Sequence, residues 1–486
     1  MRNLTLLTDL YQLTMGYGFY RQKKHEEEVV FDLFFRKNSL ITYSLFAGLE
    51  TAMDYLLNWR FDEEDIAYLR SLKLFDEDFL SYLKNMKFTG DVYAVKEGTP
   101  VFPGEPILTV KAPLIQAQFA ETALLNIINH QTLIATKSSK ICRATAGQGV
   151  VMEFGLRRAQ GPDAGINGAR AAIIGGCSCT SNVLAGQMFD VPVAGTMAHS
   201  WVMDYPTEYD AFRAYAEAYP DSCMLLVDTY DTLRSGIPNA IKVFKELREA
   251  GHEPKGVRLD SGDLAYLSKK ARKMLDEAGF PNAIVCVSGD LDERSINSLI
   301  QQGAKIGSWG VGTRLITSED LPALGGVYKL AAVIEKDGTV TPKIKLSDNT
   351  AKVTNPSFKR LYRLYDKANG MAIADLITLR HESVDDTKPL TLFHPVETWI
   401  EHEVDNFYAE ELQQTIVKNG KLVYEFPHVK DVQAYSKREL AKFWEEYLRL
   451  DVPQIYKVDL SDELHALKLG MIDGIRKKAK KGGKAE

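Results

Sequence analysis

No stretch of this chain stays apolar for the roughly 20 residues that cross a bilayer. Its N-terminus, MRNLTLLTDLYQLTM, is interrupted by Asp9 and Gln12 before a signal-peptide core can form. Cysteine is scarce: five in 486 residues, an odd number, set mostly among apolar or small neighbours. Cys177 and Cys179 form CxC rather than CxxC, with no second pair nearby, so the usual zinc and dithiol motifs are absent. That usage fits reduced, buried thiols in a cytoplasmic protein. Charge is not one-sided either. A net charge of −6 offers no basic surface for nucleic acid or an anionic membrane. Also missing are a GxGxxG opening a helix, a GxxxxGK[ST] loop and an HExxH pair. The dinucleotide fingerprint, the P-loop and the zinc-protease helix are therefore excluded as sources of function.

What remains is an ordinary globular composition, 45% hydrophobic and 26% charged, long enough for two or three domains. Residues 1–90 read as mixed helix. GDVYAVKEGTPVFPGEPILTVKAPL (90–114) reads as strands joined by tight turns, and residues 117–141 as one long amphipathic helix. From about 150 a cycle sets in: a short apolar run, a polar or glycine end, then a helical stretch. The runs lie at 150–158, 172–178, 191–196, 223–232, 255–263, 283–290 and 306–313. Such alternation predicts a parallel sheet, and seven units predict an irregular α/β barrel, with an open doubly wound sheet as the alternative. After about 330 the cycle lapses into a hairpin turned at Asp337-Gly338, further strands and a closing helix. The expected organisation is an N-terminal α+β domain (1–140), the barrel with the active site (141–335) and a C-terminal mixed region packing on the N-terminal domain (336–475). A basic tail (476–486) reads as disordered.

Barrel active sites form where the strands end. Here those ends carry Arg157, Arg158, Thr196, His199, Asp228, Arg258, Asp260, Asp263, Ser288, Gly310, Gly312 and Thr313. Cations, carboxylates and glycine-rich backbone suit a phosphorylated substrate with a divalent metal. In SWGVGTRL (308–315), Gly310, Gly312 and Thr313 would present backbone N–H groups and a hydroxyl to phosphate oxygens, or mark only a tight turn. In RLDSGD (258–263), Asp260 and Asp263 would hold Mg²⁺, unless Ser261 or Asp263 simply caps the following helix. Arg258 and Asp260 share one pleat face. Of the adjacent Arg157 and Arg158, at most one faces a pocket if the strand persists. His199 stands apart from eight scattered histidines because Gly195, Thr196 and Ala198 clear space beside it.

Taken together, TDLYQLTM (8–15), FDLFFRKN (31–38), EFGLRRAQGPDAG (153–165), VAGTMAHSW (193–201), LLVDTYDTLRSGIPNA (225–240), GVRLDSGDL (256–264) and GGVYKL (325–330) strongly resemble nicotinate phosphoribosyltransferase, a type II phosphoribosyltransferase. The resemblance covers nearly the whole chain in family order. It implies an irregular barrel plus an N-terminal domain, in a homodimer whose active sites draw on both chains. It implies that nicotinate and 5-phosphoribosyl 1-diphosphate are joined into nicotinate mononucleotide and diphosphate, with Mg²⁺, in the salvage of nicotinate into NAD. ATP hydrolysis would be coupled through a phosphohistidine, which the match of GTMAHS places on His199. The same resemblance makes Tyr11, Thr196 and Arg258 nicotinate contacts and Thr313 a diphosphate contact, with Gly195 and Asp228 in matched pocket motifs. Two other enzyme readings compete. A neutral nicotinamide would need no cation, and a sugar-phosphate aldolase would want a strand-end lysine or metal-binding histidines, which these seven runs lack.

Overall fold

The computed structural model describes residues 3–37, 42–347 and 352–482. They divide into two compact units. One comprises residues 1–132, 323–427 and 435–486, the other residues 133–322 and 428–434. The second unit carries the repeated strands. Its sheet has six of them, all parallel, in the spatial order Cys179–Thr180, Val150–Glu153, Ser308–Val311, Ile284–Gly289, Gly256–Leu259, Met224–Leu226. Their runs are apolar on both pleat faces, as strands covered on both sides must be; Val285, Cys286, Val287, Val257 and Leu259 are all buried.

Helices return the chain between these strands. Ile237–Glu249 buries Ile237, Ala240, Val243, Phe244 and Leu247, one stripe at helical spacing. Leu264–Glu277 starts at Asp263, whose side chain accepts the Tyr266 N–H. Glu293–Gln301 starts in a reciprocal capping box between Asp292 and Ser295.

The seven expected strands become six. The run at 172–178 is the end of helix Pro162–Ile174 and a turn, and its strand follows directly, at Cys179–Thr180. The run at 191–196 contributes only a single bridge, Val193 to Thr180. Among the described residues no ladder joins Val193 to Met224–Leu226, so no closed barrel is formed by backbone hydrogen bonds. The architecture is mixed α/β with an open-edged parallel sheet. Helix is also found where disorder was expected: Asp462–Gly482 is one helix, so residues 476–482 are helical. The last four residues of that expected tail lie outside the described residues.

The other unit holds two sheets. An antiparallel sheet of seven strands runs Val340–Pro342, Gly326–Ile334, Glu28–Phe35, Leu108–Pro113, Asp91–Val95, Gln413–Lys418, Lys421–Leu422. Gly326–Ile334 pairs along Glu28–Phe35, so the parallel unit ends at Pro322 rather than at the expected 335. Gln413–Lys418 pairs with Asp91–Val95, so C-terminal sequence completes a sheet begun by the N-terminus. The second sheet, of six strands, is centred on Lys359–Asp366 and Ala372–Leu379. His465 is buried and stacked on Phe393, although it stands among charged residues in the sequence. Among the described residues no helix is long and apolar enough to cross a membrane.

Candidate active site

Parallel pairing puts the C-terminal ends of neighbouring strands side by side. Arg258 and Asp260 leave the end of Gly256–Leu259, between strands ending near Asp228 and Ser288. The Arg258 guanidinium donates three ways: Nε to Ser288 Oγ at 2.8 Å, one terminal nitrogen to Thr196 Oγ1 at 2.8 Å, the other to Asp260 Oδ1 at 2.8 Å. A guanidinium carries five N–H donors, so each terminal nitrogen keeps one for a ligand. The Phe154 ring lies beside it, 5.9 Å from the guanidinium carbon. Ser288 also donates to Asp260 Oδ1 in a short hydrogen bond. Burial alone would push the Asp260 carboxyl up. The Ser288 hydroxyl and the Arg258 cation outweigh it and hold Asp260 below the usual carboxylate value.

Asp228 ties adjacent strand ends together. Its Oδ2 accepts the Asp260 N–H at 2.9 Å and the Ser261 hydroxyl at 2.7 Å. Its Oδ1 is buried with no hydrogen-bond partner. That oxygen faces His199, whose Nε2 is 4.0 Å from Asp228 Oδ1 and 3.9 Å from Asp260 Oδ2. On the far side of the ring, His199 Nδ1 is 3.0 Å from Thr229 Oγ1. His199 opens the short helix His199–Met203, which Trp201 anchors through Nε1 to the Ala211 carbonyl at 2.9 Å. A side-chain carbon added at Gly195 would meet nothing within 4 Å, so no protein packing demands glycine there and the space beside the loop is open.

Arg258, Asp260, Asp228, Ser288, Thr196 and His199 are thus one connected cluster. A cleft of about 340 Å³ continues from Asp260 and Ser288 past Gly289, Asp290 and Leu291. Other predicted residues are placed differently. Arg157 and Arg158 lie in a turn of 3-10 helix, Leu156–Arg158, after the strand has ended at Glu153; strand alternation does not apply to them, and both are exposed. Gly310 is buried inside its strand, paired with Met152 and Ser288, so its N–H is not presented to solvent. Glycine is needed there because a side-chain carbon would fall 2.7 Å from the Phe154 ring. Gly312 and Thr313 follow the strand, Thr313 opening the short helix Thr313–Ile316. Asp263 is exposed and caps its helix, the simpler of its two readings. Tyr11 belongs to the other unit, on helix Leu10–Arg21, and is 47% exposed.

The sequence reading missed Thr229 and Phe154. Thr229 follows Asp228, which is a candidate, and Phe154 follows the buried end of its strand at Glu153. Glu153 is itself buried, accepting from Gly155 N–H and the Thr180 hydroxyl, and burial raises its carboxyl. Among the described residues no three His, Cys, Asp or Glu side chains group as a metal site.

Comparison with known proteins identifies the family of the whole chain. Family models for the nicotinate phosphoribosyltransferase N-terminal domain, family and C-terminal domain match residues 6–129, 150–385 and 358–468. The nicotinate phosphoribosyltransferase of Bacillus subtilis (strain 168) is 51% identical over 475 residues, 98% of this chain and 96% of its own. The human one is 32% identical over 519 residues, 95% of each chain. The crystal structure of human nicotinic acid phosphoribosyltransferase matches with a TM-score of 0.84 at 30% identity, covering 95% of this chain and 99% of that one. A nicotinate-nucleotide pyrophosphorylase from Pyrococcus furiosus, at 22% identity and a TM-score of 0.69, shares the fold. The chain belongs to the nicotinate phosphoribosyltransferase family.

Proposed function

We propose that the Arg258–Asp260–His199 cluster is where nicotinate and 5-phosphoribosyl 1-diphosphate are joined, in the cytoplasm, with ATP hydrolysis coupled through a phosphorylated His199. The enzyme class itself follows from the family: the chain is a nicotinate phosphoribosyltransferase acting in NAD salvage. The observation that carries the site reading is a guanidinium with donors to spare, fixed on three partners beside an aromatic ring.

Nicotinate brings a carboxylate and a flat ring. The two remaining N–H groups of Arg258 suit the carboxylate, with Thr196 and Ser288 holding the guanidinium in place. The ring then has Phe154 beside it and Tyr11 as a further contact, supplied within a homodimer in which both copies contribute to each site. At the ribose, the pyridine nitrogen forms its bond to C1 while the bond from C1 to the diphosphate oxygen breaks. Positive charge gathers on the sugar as it does so. Asp228 and Asp260 are carboxylates set to stabilise that charge. Gly195, Gly312 and Thr313 supply backbone and hydroxyl contacts to phosphate oxygens, and Arg157 or Arg158, exposed beyond the strand end, a cation for the same anion.

A divalent cation fits this donor set. Asp228 Oδ1 is a buried carboxylate oxygen without a partner, and Mg²⁺ characteristically takes one or two carboxylates and completes its shell with water and substrate phosphate. Asp260 would hold it, with Asp263 able to add an oxygen not used in capping; bound there, the ion would neutralise the departing diphosphate.

The test uses the purified protein with nicotinate, 5-phosphoribosyl 1-diphosphate and Mg²⁺, with and without ATP. Nicotinate mononucleotide should form, faster with ATP, and nicotinamide should be a poor substrate. His199→Ala should lose the stimulation by ATP while slow ATP-independent transfer continues. Full ATP coupling in that variant would remove His199 from the role.

A further inference from the structure

The geometry points to Cys142 and Cys177 as an oxidation site: two neighbouring thiols that a hydroperoxide closes into a disulfide, bracing the turn that feeds the edge of the parallel sheet. Nothing in it depends on the reaction proposed above.

The two thiols come from different elements that meet closely. Ala135, Ser138 and Cys142 lie at i, i+3 and i+7 on helix Glu121–Ala144, so they share one face. Against that face runs the turn Gly175–Gly176–Cys177, which follows helix Pro162–Ile174. A side-chain carbon on Gly175 would fall 2.4 Å from the Ala135 carbonyl oxygen and 2.5 Å from Ser138 Cβ. One on Gly176 would fall 3.2 Å from both Cβ and Sγ of Cys142. The Cys177 sulfur lies 3.2 Å from Ser138 Oγ, one helical turn before Cys142. Ser138 gives its own hydrogen to the Ala172 carbonyl at 2.8 Å, so it accepts the Cys177 S–H. Contact with the Cys142 thiol, and then burial, push the Cys177 thiol up.

Access and fixation divide the roles. Of the five cysteines Cys142 alone is not buried, and Cys177 is fully buried. A small oxidant therefore reaches the outer sulfur first, and the inner one resolves. The turn is held where it is. Cys177 donates its N–H to the Ala172 carbonyl at 3.0 Å, its own carbonyl accepts the Gln433 side-chain amide at 2.8 Å, and Ser178 N–H donates to the Val151 carbonyl at 2.8 Å. Three residues after Cys177, Thr180 carries the bridge to Val193. Cys179 and Cys286 also share a cluster, with Met152, but neither is open to solvent.

Closure is one two-electron oxidation. The Cys142 sulfur attacks a peroxide oxygen: an S–O bond forms, the O–O bond breaks, and the departing hydroxide takes the thiol proton and leaves as water. The Cys177 sulfur then attacks the sulfur of that sulfenic acid. The S–S bond forms, the S–O bond breaks, and hydroxide leaves with the Cys177 proton as a second water. An external dithiol reverses the step by exchange.

The whole enzyme tests this without any substitution. After hydrogen peroxide, alkylation with N-ethylmaleimide, unfolding and digestion, the Cys142 peptide should be joined to the Cys177 peptide, lighter than the two thiols by two hydrogens, and dithiothreitol should separate them. Closing a loop of some 35 residues should raise the melting temperature of the oxidised enzyme by roughly 5–10 °C. Cys142→Ser should show no such rise. In Cys177→Ser, Cys142 should oxidise at the wild-type rate but run on to sulfinic acid, because nothing resolves it. Wild type in which Cys142 ends as sulfinic acid while Cys177 remains a thiol, or is joined to a cysteine other than Cys177, overturns the pairing. A cross-link that leaves the melting temperature where it was overturns the brace.

Discussion

Two arginine–aspartate pairs in this chain make opposite use of the same chemistry. In the C-terminal sheet, Arg363 and Asp375 are fully buried. Arg363 donates to both Asp375 oxygens, at 2.8 and 2.6 Å, and to the Pro100 carbonyl at 2.8 Å, and it lies against the rings of Phe102 and Phe443. Asp375 also accepts the Tyr456 hydroxyl at 2.9 Å. In the parallel unit, Arg258 and Asp260 have side chains 17% and 33% exposed, and their group has loose ends: two guanidinium N–H donors and a partnerless oxygen on Asp228. The first pair joins distant pieces of sequence, and the one guanidinium nitrogen it leaves without a partner, Arg363 Nη1, is sealed from solvent. The second is held firmly but incompletely. Both groups keep unused hydrogen-bonding capacity; what separates them is access, closed at Arg363 and Asp375 and open at Arg258 and Asp260.

Removing one partner from each pair should have opposite consequences. Arg363→Met leaves the Asp375 carboxylate buried and unpaired, and should cost about 3–5 kcal/mol in urea unfolding while the folded fraction keeps its specific activity. Arg258→Gln should do the reverse. Its kcat/KM for nicotinate should fall roughly a hundred- to a thousandfold, about 3–4 kcal/mol of transition-state stabilisation, with a smaller change in stability. If Arg363→Met instead lost turnover and kept its stability, the contrast would fail.

A third prediction sharpens the closed side. Lys468 is buried on acceptors alone, Asn355 Oδ1 at 2.8 Å and the Pro395 carbonyl at 2.6 Å. Burial, and then the nearby Lys359 cation, bring its ammonium down to about 8. Folding therefore disfavours its charged form, and the penalty is complete below about 8. Between that value and the unfolded one near 10.4 the unfolded chain binds more protons, so stability rises with pH. The stability of wild type relative to Lys468→Met should accordingly improve by on the order of 2–3 kcal/mol from pH 7 to pH 10.5. A flat difference across that range would show that the amine is charged in the fold.

The smallest effect separates the two uses of Asp263. Asn caps a helix as well as Asp does, whereas Ala does not. Asp263→Ala should lose about 1 kcal/mol of stability and Asp263→Asn almost none. If Asp263 also holds Mg²⁺, both variants should need more Mg²⁺ for half-maximal turnover. Unchanged Mg²⁺ dependence in Asp263→Asn would leave it a cap only.

Much of the parallel unit was legible from local pattern. Apolar runs ending in charge located Arg258, Asp260 and Asp228 at strand ends, because a strand buried on both faces has only its ends free for polar residues. Reading failed where tertiary contacts decide. Gly310 reads as phosphate-binding backbone, but its reason is the Phe154 ring, 156 residues before it and in no local pattern. The strand at 172–178 was misplaced because Ala172, Ile173 and Ile174 suit a buried helix end as well as a strand. The strand Gln413–Lys418 joins an N-terminal sheet from over 300 residues away, which no periodicity encodes. Thr229 escaped because a hydroxyl has no signature until its partner is known.

The open edge at Val193 has a consequence for how the site works. Because one bridge, rather than a full ladder, joins the segment before His199 to the sheet, few backbone hydrogen bonds must break for that segment to swing. The segment that carries His199 is held instead by side chains, Thr196 to Arg258, His199 to Thr229 and Trp201 to the Ala211 carbonyl.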